Sequence, residues 1–195
     1  DSAFRGVAKA DAGKAWFVLS PFLTVEEAWL LGTYARSVSP FVNIVCGPVP
    51  VSGEDDTYPK DRRGRATGTV KFTIRAEKCP NRKGIEAVVA HFQQKPVSFV
   101  DLLAACDRDE VAFAYVTGGY GSSSPGFKVE DSERIGRAGY LVVHDLLPSS
   151  MTDKAKLVLE FEPDFNQKLA SQTPTHVKAY YNPAEDLARV GLSVI

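Results

Sequence analysis

Lys14–Cys46 reads KAWFVLSPFLTVEEAWLLGTYARSVSPFVNIVC, and the order of its apolar runs decides the fold. Lys14 to Leu19 is nearly continuous in apolar residues and is broken by Ser20-Pro21, as expected of a short buried strand. Thr24 and Glu27 form a capping-box pair, and Val25, Ala28, Leu31, Ala35 and Val38 follow at helical spacing. Pro40 stops that helix, and Phe41 to Cys46 reads as a second strand.

The same alternation continues downstream. Residues 47–68 are rich in Gly, Pro, Asp and Arg and are expected to form an excursion loop, long enough to be functional or disordered. Val70 to Ala76 alternates like a strand or extended arm. Ile85, Val88, Val89 and Phe92 mark a helix, with Asn81 as its expected cap. Ser98 and Asp101 open another helix, whose apolar face is Phe99, Leu102, Leu103 and Cys106. Val111 to Val116 is a strand, Val129 to Arg137 a short helix, Tyr140 to Val143 a strand and Lys156 to Phe161 another. In the tail from Glu160 to Ile195, His176 to Tyr181 reads as an extra strand and Pro183 to Val190 as a terminal helix, together a packed cap of the sheet. Apolar strands alternating with helices predict one α/β domain over residues 1–195, a three-layer sandwich around a mostly parallel, Rossmann-like sheet.

Composition narrows the function classes. The 195 residues carry a net charge of −1, with acids and bases interspersed and 44% hydrophobic content. That balance gives no electrostatic footprint for nucleic acid or anionic lipid. The longest apolar runs, such as Ala112 to Val116, are too short to cross a bilayer. Cys46, Cys79 and Cys106 are odd in number and widely spaced, which argues against a disulfide framework and for a reducing compartment. Without a CxxC or Cys-His pair at ligand spacing, no metal site is expected. The chain starts at Asp1 rather than Met, and we expect it to be a piece of a longer polypeptide.

Ligands of open α/β sheets sit beyond the carboxyl ends of the strands, and two loops qualify there. Gly118 to Gly126 follows a strand directly. Its glycines, with Gly118 and Gly119 leading, bring backbone amides close to a phosphate, and hydroxyls such as that of Ser122 donate to it. The same composition also serves as a plain turn. The second loop, His144 to Asp153, places Asp145 where it can accept from a ribose hydroxyl or a guanine amine. His144 is expected to be a strand-end residue bonded to a backbone carbonyl. The adjacent His-Asp pair is not a hydrolase triad, and no catalytic residue is assigned. Arg75, Glu77, Lys78, Arg82 and Lys83 admit three readings: a docking surface, a cofactor-contacting loop or a solvated turn. The cluster Lys60, Arg62, Arg63 and Arg65, with acids beside it, reads as a solvated surface.

The string Ile74-Arg75-Ala76-Glu77-Lys78-Cys79-Pro80-Asn81-Arg82-Lys83-Gly84-Ile85-Glu86 resembles the molybdopterin-oxidoreductase domain of the large iron–sulfur subunit of bacterial NADH–quinone oxidoreductase, respiratory complex I. Tyr115-Val116-Thr117-Gly118-Gly119-Tyr120 is similar to that family's first nucleotide turn, with Tyr120 where Asn is usual. Leu141 to Asp145 resembles its acid strand, and Lys154 to Glu160 a worn copy of its last motif. The likeness spans roughly Ala15 to Leu159. It implies a formate dehydrogenase/DMSO reductase-type fold on the cytoplasmic side of the inner membrane, peripheral to it, with other domains and subunits of the complex's peripheral arm as partners. It also implies a scaffold role, with no cofactor in this stretch and iron–sulfur clusters elsewhere in the parent chain. The alternative is a true molybdopterin oxidoreductase, formate dehydrogenase-like. There Gly118, Gly119, Ser122 and Asp145 would hold one arm of a molybdopterin guanine dinucleotide.

Overall fold

The computed structural model describes residues 1–93, 95–120, 126–145, 148–162 and 176–180. The predicted parallel sheet is present: β1 (Ala15–Leu19), β2 (Asn43–Cys46), β5 (Phe113–Thr117), β6 (Tyr140–Asp145), β7 (Leu157–Glu162) and β8 (His176–Tyr180) lie in the order β2-β1-β5-β6-β7-β8. Every neighbouring pair in that sheet is parallel. The intervening β3 (Asp56–Tyr58) and β4 (Phe72–Ile74) form a separate antiparallel ribbon.

Strand residues alternate between the two faces, and each face has its own core. Ala15, Phe17 and Leu19 pack with Ile44 and Phe113 against α1 (Ser2–Asp11), α2 (Val25–Val38) and α3 (Arg82–Phe92). Trp16 and Val18 point the other way and join Ala114, Val116, Leu141 and Val143 under α4 (Phe99–Asp107) and α5 (Val129–Ile135). Helices on both faces of a parallel sheet make three layers, as the nearly continuous apolar strands required.

Local signals account for the helix starts. Thr24 and Glu27 form a complete capping box on α2, as do Ser98 and Asp101 on α4. Asn81 precedes α3 but does not cap it through its side chain, contrary to expectation. Its amide instead donates to Leu23 O at 2.9 Å, which ties the start of α3 to the turn after β1. Gly32 and Gly84 let α2 and α3 approach: a Cβ on Gly32 would meet the Phe92 ring, and one on Gly84 would meet Val25 and the Asn81 side chain.

The expected excursion loop is an arm with structure of its own. It spans 47–81, and β3 lies inside the stretch expected to be loop. Tyr58 stacks on Phe72 across the ribbon at 4.8 Å between ring centroids. The arm's two legs are joined at its base, where Ser52 N donates to Ala76 O and Lys78 N to Pro50 O.

Candidate functional site

β1 has β2 on one side and β5 on the other, so the connections run in opposite directions along the sheet from this point. The crevice beyond the carboxyl ends of β1 and β5 is the topological switch point, where doubly wound sheets bind ligands. Three segments meet there: Ser20–Leu23 after β1, Gly47–Pro50 after β2 and Gly118–Tyr120 after β5.

These segments are stitched to one another. Thr117 is fully buried; its hydroxyl donates to Val18 O at 3.0 Å and accepts from Ser20 N at 2.7 Å. Gly118 N donates to His144 O, carrying the β5–β6 pairing one step past the strand. Gly119 takes φ +86°, a left-handed conformation open to glycine, and its N–H donates to Asp145 Oδ1 at 2.8 Å. A Cβ on Gly118 would run into that same carboxylate. The structure therefore brings Gly118, Gly119 and Asp145 together, while Ser122 lies outside the described residues.

Tyr120 lies between the three segments. Its ring packs edge-on against Phe22 at 5.1 Å and Phe127 at 5.3 Å, and its hydroxyl donates to Pro48 O at 2.9 Å. Gly47 and Gly126 accommodate it: side chains there would strike the Tyr120 hydroxyl and ring respectively. Burial pushes the Tyr120 phenol pKa well up, so it stays a neutral donor. Sequence reading noticed Tyr120 only as a departure from Asn; its role depends on Phe22, Pro48 and Phe127, which are distant in sequence.

His144 bonds through Nδ1 to the Tyr115 hydroxyl at 2.9 Å, a partner on the neighbouring strand. Burial lowers its pKa, against opposing pulls from Glu27 and Asp145. Burial pushes Cys46 up to about 12 and Cys106 up to about 11, and raises Cys79 as well. All three are protonated thiols at neutral pH. Among the described residues no three His, Cys, Asp or Glu side chains gather as a metal-binding group.

The charged residues of Ile74–Glu86 are largely engaged within the chain. Arg75 pairs with Asp55 at 2.8 Å, and Arg82 pairs with Glu77 at 2.8 Å and Glu86 at 3.0 Å. Asn81 N donates to Pro21 O, so this segment anchors the arm beside the switch point. A separate open groove of about 550 Å³ lies near the amino ends of β1 and β5, lined by Lys14, Trp16, Lys95, Asp101 and Arg108 among others. It shares no residue with the switch-point segments.

The fold and this crevice define a doubly wound parallel α/β domain in which Tyr120 packs between the described switch-point segments. Comparison with family models, with curated proteins and with solved structures finds no match to this chain. Among the described residues no helix is long and apolar enough to cross a membrane.

Proposed function

We propose that this chain is a scaffold domain of the large subunit of an NADH–quinone oxidoreductase. It sits on the cytoplasmic side of the inner membrane and packs beside the part of the parent protein that carries iron–sulfur clusters. Electrons pass from NADH toward quinone through those clusters, outside these 195 residues, and the domain holds no cofactor. Its partners are other domains and subunits of the peripheral arm.

The observation that supports this reading is Tyr120, whose ring and hydroxyl are engaged by Phe22, Phe127 and Pro48 O within the crevice a nucleotide would enter. Asp145, the acid that would accept from a guanine, already accepts from Gly119 N through Oδ1. The Ile74–Glu86 string supports the same conclusion, since its charges hold the arm and α3 in place rather than converging on the crevice. Its resemblance to the complex I subunit supplies the parent.

Thermal unfolding with guanosine diphosphate tests the reading. A ligand bound only by the folded state at a hundredfold excess over Kd stabilises it by about 2.7 kcal/mol, a shift of several degrees for a domain of this size. The scaffold reading predicts no shift. A shift abolished by Asp145→Asn would replace it with the nucleotide-arm-binding domain of a molybdopterin oxidoreductase.

A further inference from the structure

The ribbon of β3 and β4 leaves an apolar stripe in solvent. Val70, Phe72 and Ile74 alternate onto one side and are 49%, 57% and 50% exposed. A two-stranded ribbon of three residue pairs has little stability of its own and gains it by packing on something else. Asp55 and Asp56 flank the base of the stripe, and the charges become one-sided toward the tip of the arm. Between residues 57 and 74 there are five cations, Lys60, Arg62, Arg63, Arg65 and Lys71, against the single acid Asp61, a net +4. The whole chain is −1, so the other residues together carry −5.

The arm's acids leave four of the five tip cations without an ion pair among the described residues. Asp55 is taken by Arg75 and Ala76 N, Asp56 by Lys60 and the Tyr58 hydroxyl, and Asp61 accepts from the N–H groups of Arg63 and Arg65. Among the described residues no ion pair engages Arg62, Arg63, Arg65 or Lys71.

The opposite pattern lies on the body of the molecule. Phe99 and Phe127 meet at 5.9 Å, bringing the starts of α4 and α5 together. Each start exposes a valine: Val100 is 71% and Val129 64% exposed. Glu130 and Glu133 are exposed beside Val129 and make no ion pair among the described residues, with Lys128 the one cation at that helix start. An apolar stripe with a cationic tip thus has an apolar patch with an acidic flank as its counterpart on the same chain. Two copies related by a twofold axis can satisfy both at once, each arm seated on the other's body.

We infer that this chain self-associates, the arm of one copy docking through Val70, Phe72, Ile74 and its cationic tip on the α4–α5 face of a second. The test is the molar mass of the 195-residue chain by sedimentation and light scattering across protein and salt concentration. At low salt and about 100 µM protein the mass is expected to be twice the 21.2 kDa of one chain, falling toward one chain as salt screens the contact. Phe72→Ser with Ile74→Ser, both at exposed sites, is expected to give one-chain mass with unchanged circular dichroism. Arg63→Glu with Arg65→Glu weakens association, as does Glu130→Lys with Glu133→Lys, and combining the four in one chain restores it. One-chain mass at every concentration overturns the inference and leaves the arm to a different partner. A dimer indifferent to the arm substitutions, or a four-fold variant that stays monomeric while folded, overturns it equally.

Discussion

Gly118 lacks a side chain in the place where the Asp145 carboxylate packs, and Gly119 turns left-handed to present its N–H to the same group. Gly118→Ala is therefore expected to destabilise the domain by about 1–3 kcal/mol, the usual cost of overpacking. Urea unfolding measures it, and the cost should shrink when repeated in an Asp145→Ala background, because the two side chains compete for one space. Tyr120→Ala removes the contacts with Phe22, Phe127 and Pro48 and is expected to cost about 3–5 kcal/mol by the same measurement, as for other large aromatic truncations. His144 gives a pH signature. Its pKa is lowered in the folded state, so the unfolded chain binds its proton more readily. Its contribution is fully present above the ordinary imidazole value of 6.5 and is lost as pH falls from there through the lowered folded value. Stability measured from pH 8 down to about pH 5 should fall more steeply for the native chain than for His144→Asn, which has no such titration.

The caps of α2 and α4 were legible because a capping box is local: Thr24 with Glu27, and Ser98 with Asp101, are three residues apart. Elements held by distant partners were not. Helix α1 went unread because Phe4 is its one fully buried side chain, and that ring packs on the distant Phe17 and Phe113. Of the ribbon, β4 falls within the strand or extended arm expected over Val70 to Ala76, whereas β3 hid in a Gly-, Pro- and Arg-rich stretch because the pairing joins residues 14 to 18 apart over only three positions. Asn81 looked like a cap because its type and position fit one, but Leu23 O, 58 residues away in sequence, claims its amide. Arg36 is another long-range contributor that the sequence concealed. From α2 its guanidinium donates to Phe92 O at the end of α3 and to Pro40 O and Val42 O before β2. Arg36→Met should cost about 1–3 kcal/mol by leaving those carbonyls short of donors. Hydrogen exchange should then quicken at the carboxyl end of α3 before the rest of that helix.

At the scale of the whole molecule, the alternation of strands and helices specified the sheet and its two covered faces, because buried parallel strands must be apolar throughout. It also located the switch-point loops, where Gly118, Gly119 and Asp145 lie together. What it left open was the place of Tyr120, which is set by how that side chain meets Phe22, Pro48 and Phe127. Tyr120 packed in the crevice fits the proposed scaffold role, in which the domain supports a respiratory complex by its shape and contacts. On this account Asp145→Asn in the parent complex leaves NADH-driven electron transfer within about twofold of normal, provided the variant folds, whereas loss of a group that stabilises a transition state costs a hundredfold or more. The most direct test of the scaffold claim is the metal and pterin content of the intact protein purified from its own host. The account predicts iron without molybdenum, tungsten or releasable pterin; molybdenum or tungsten with stoichiometric pterin would contradict it.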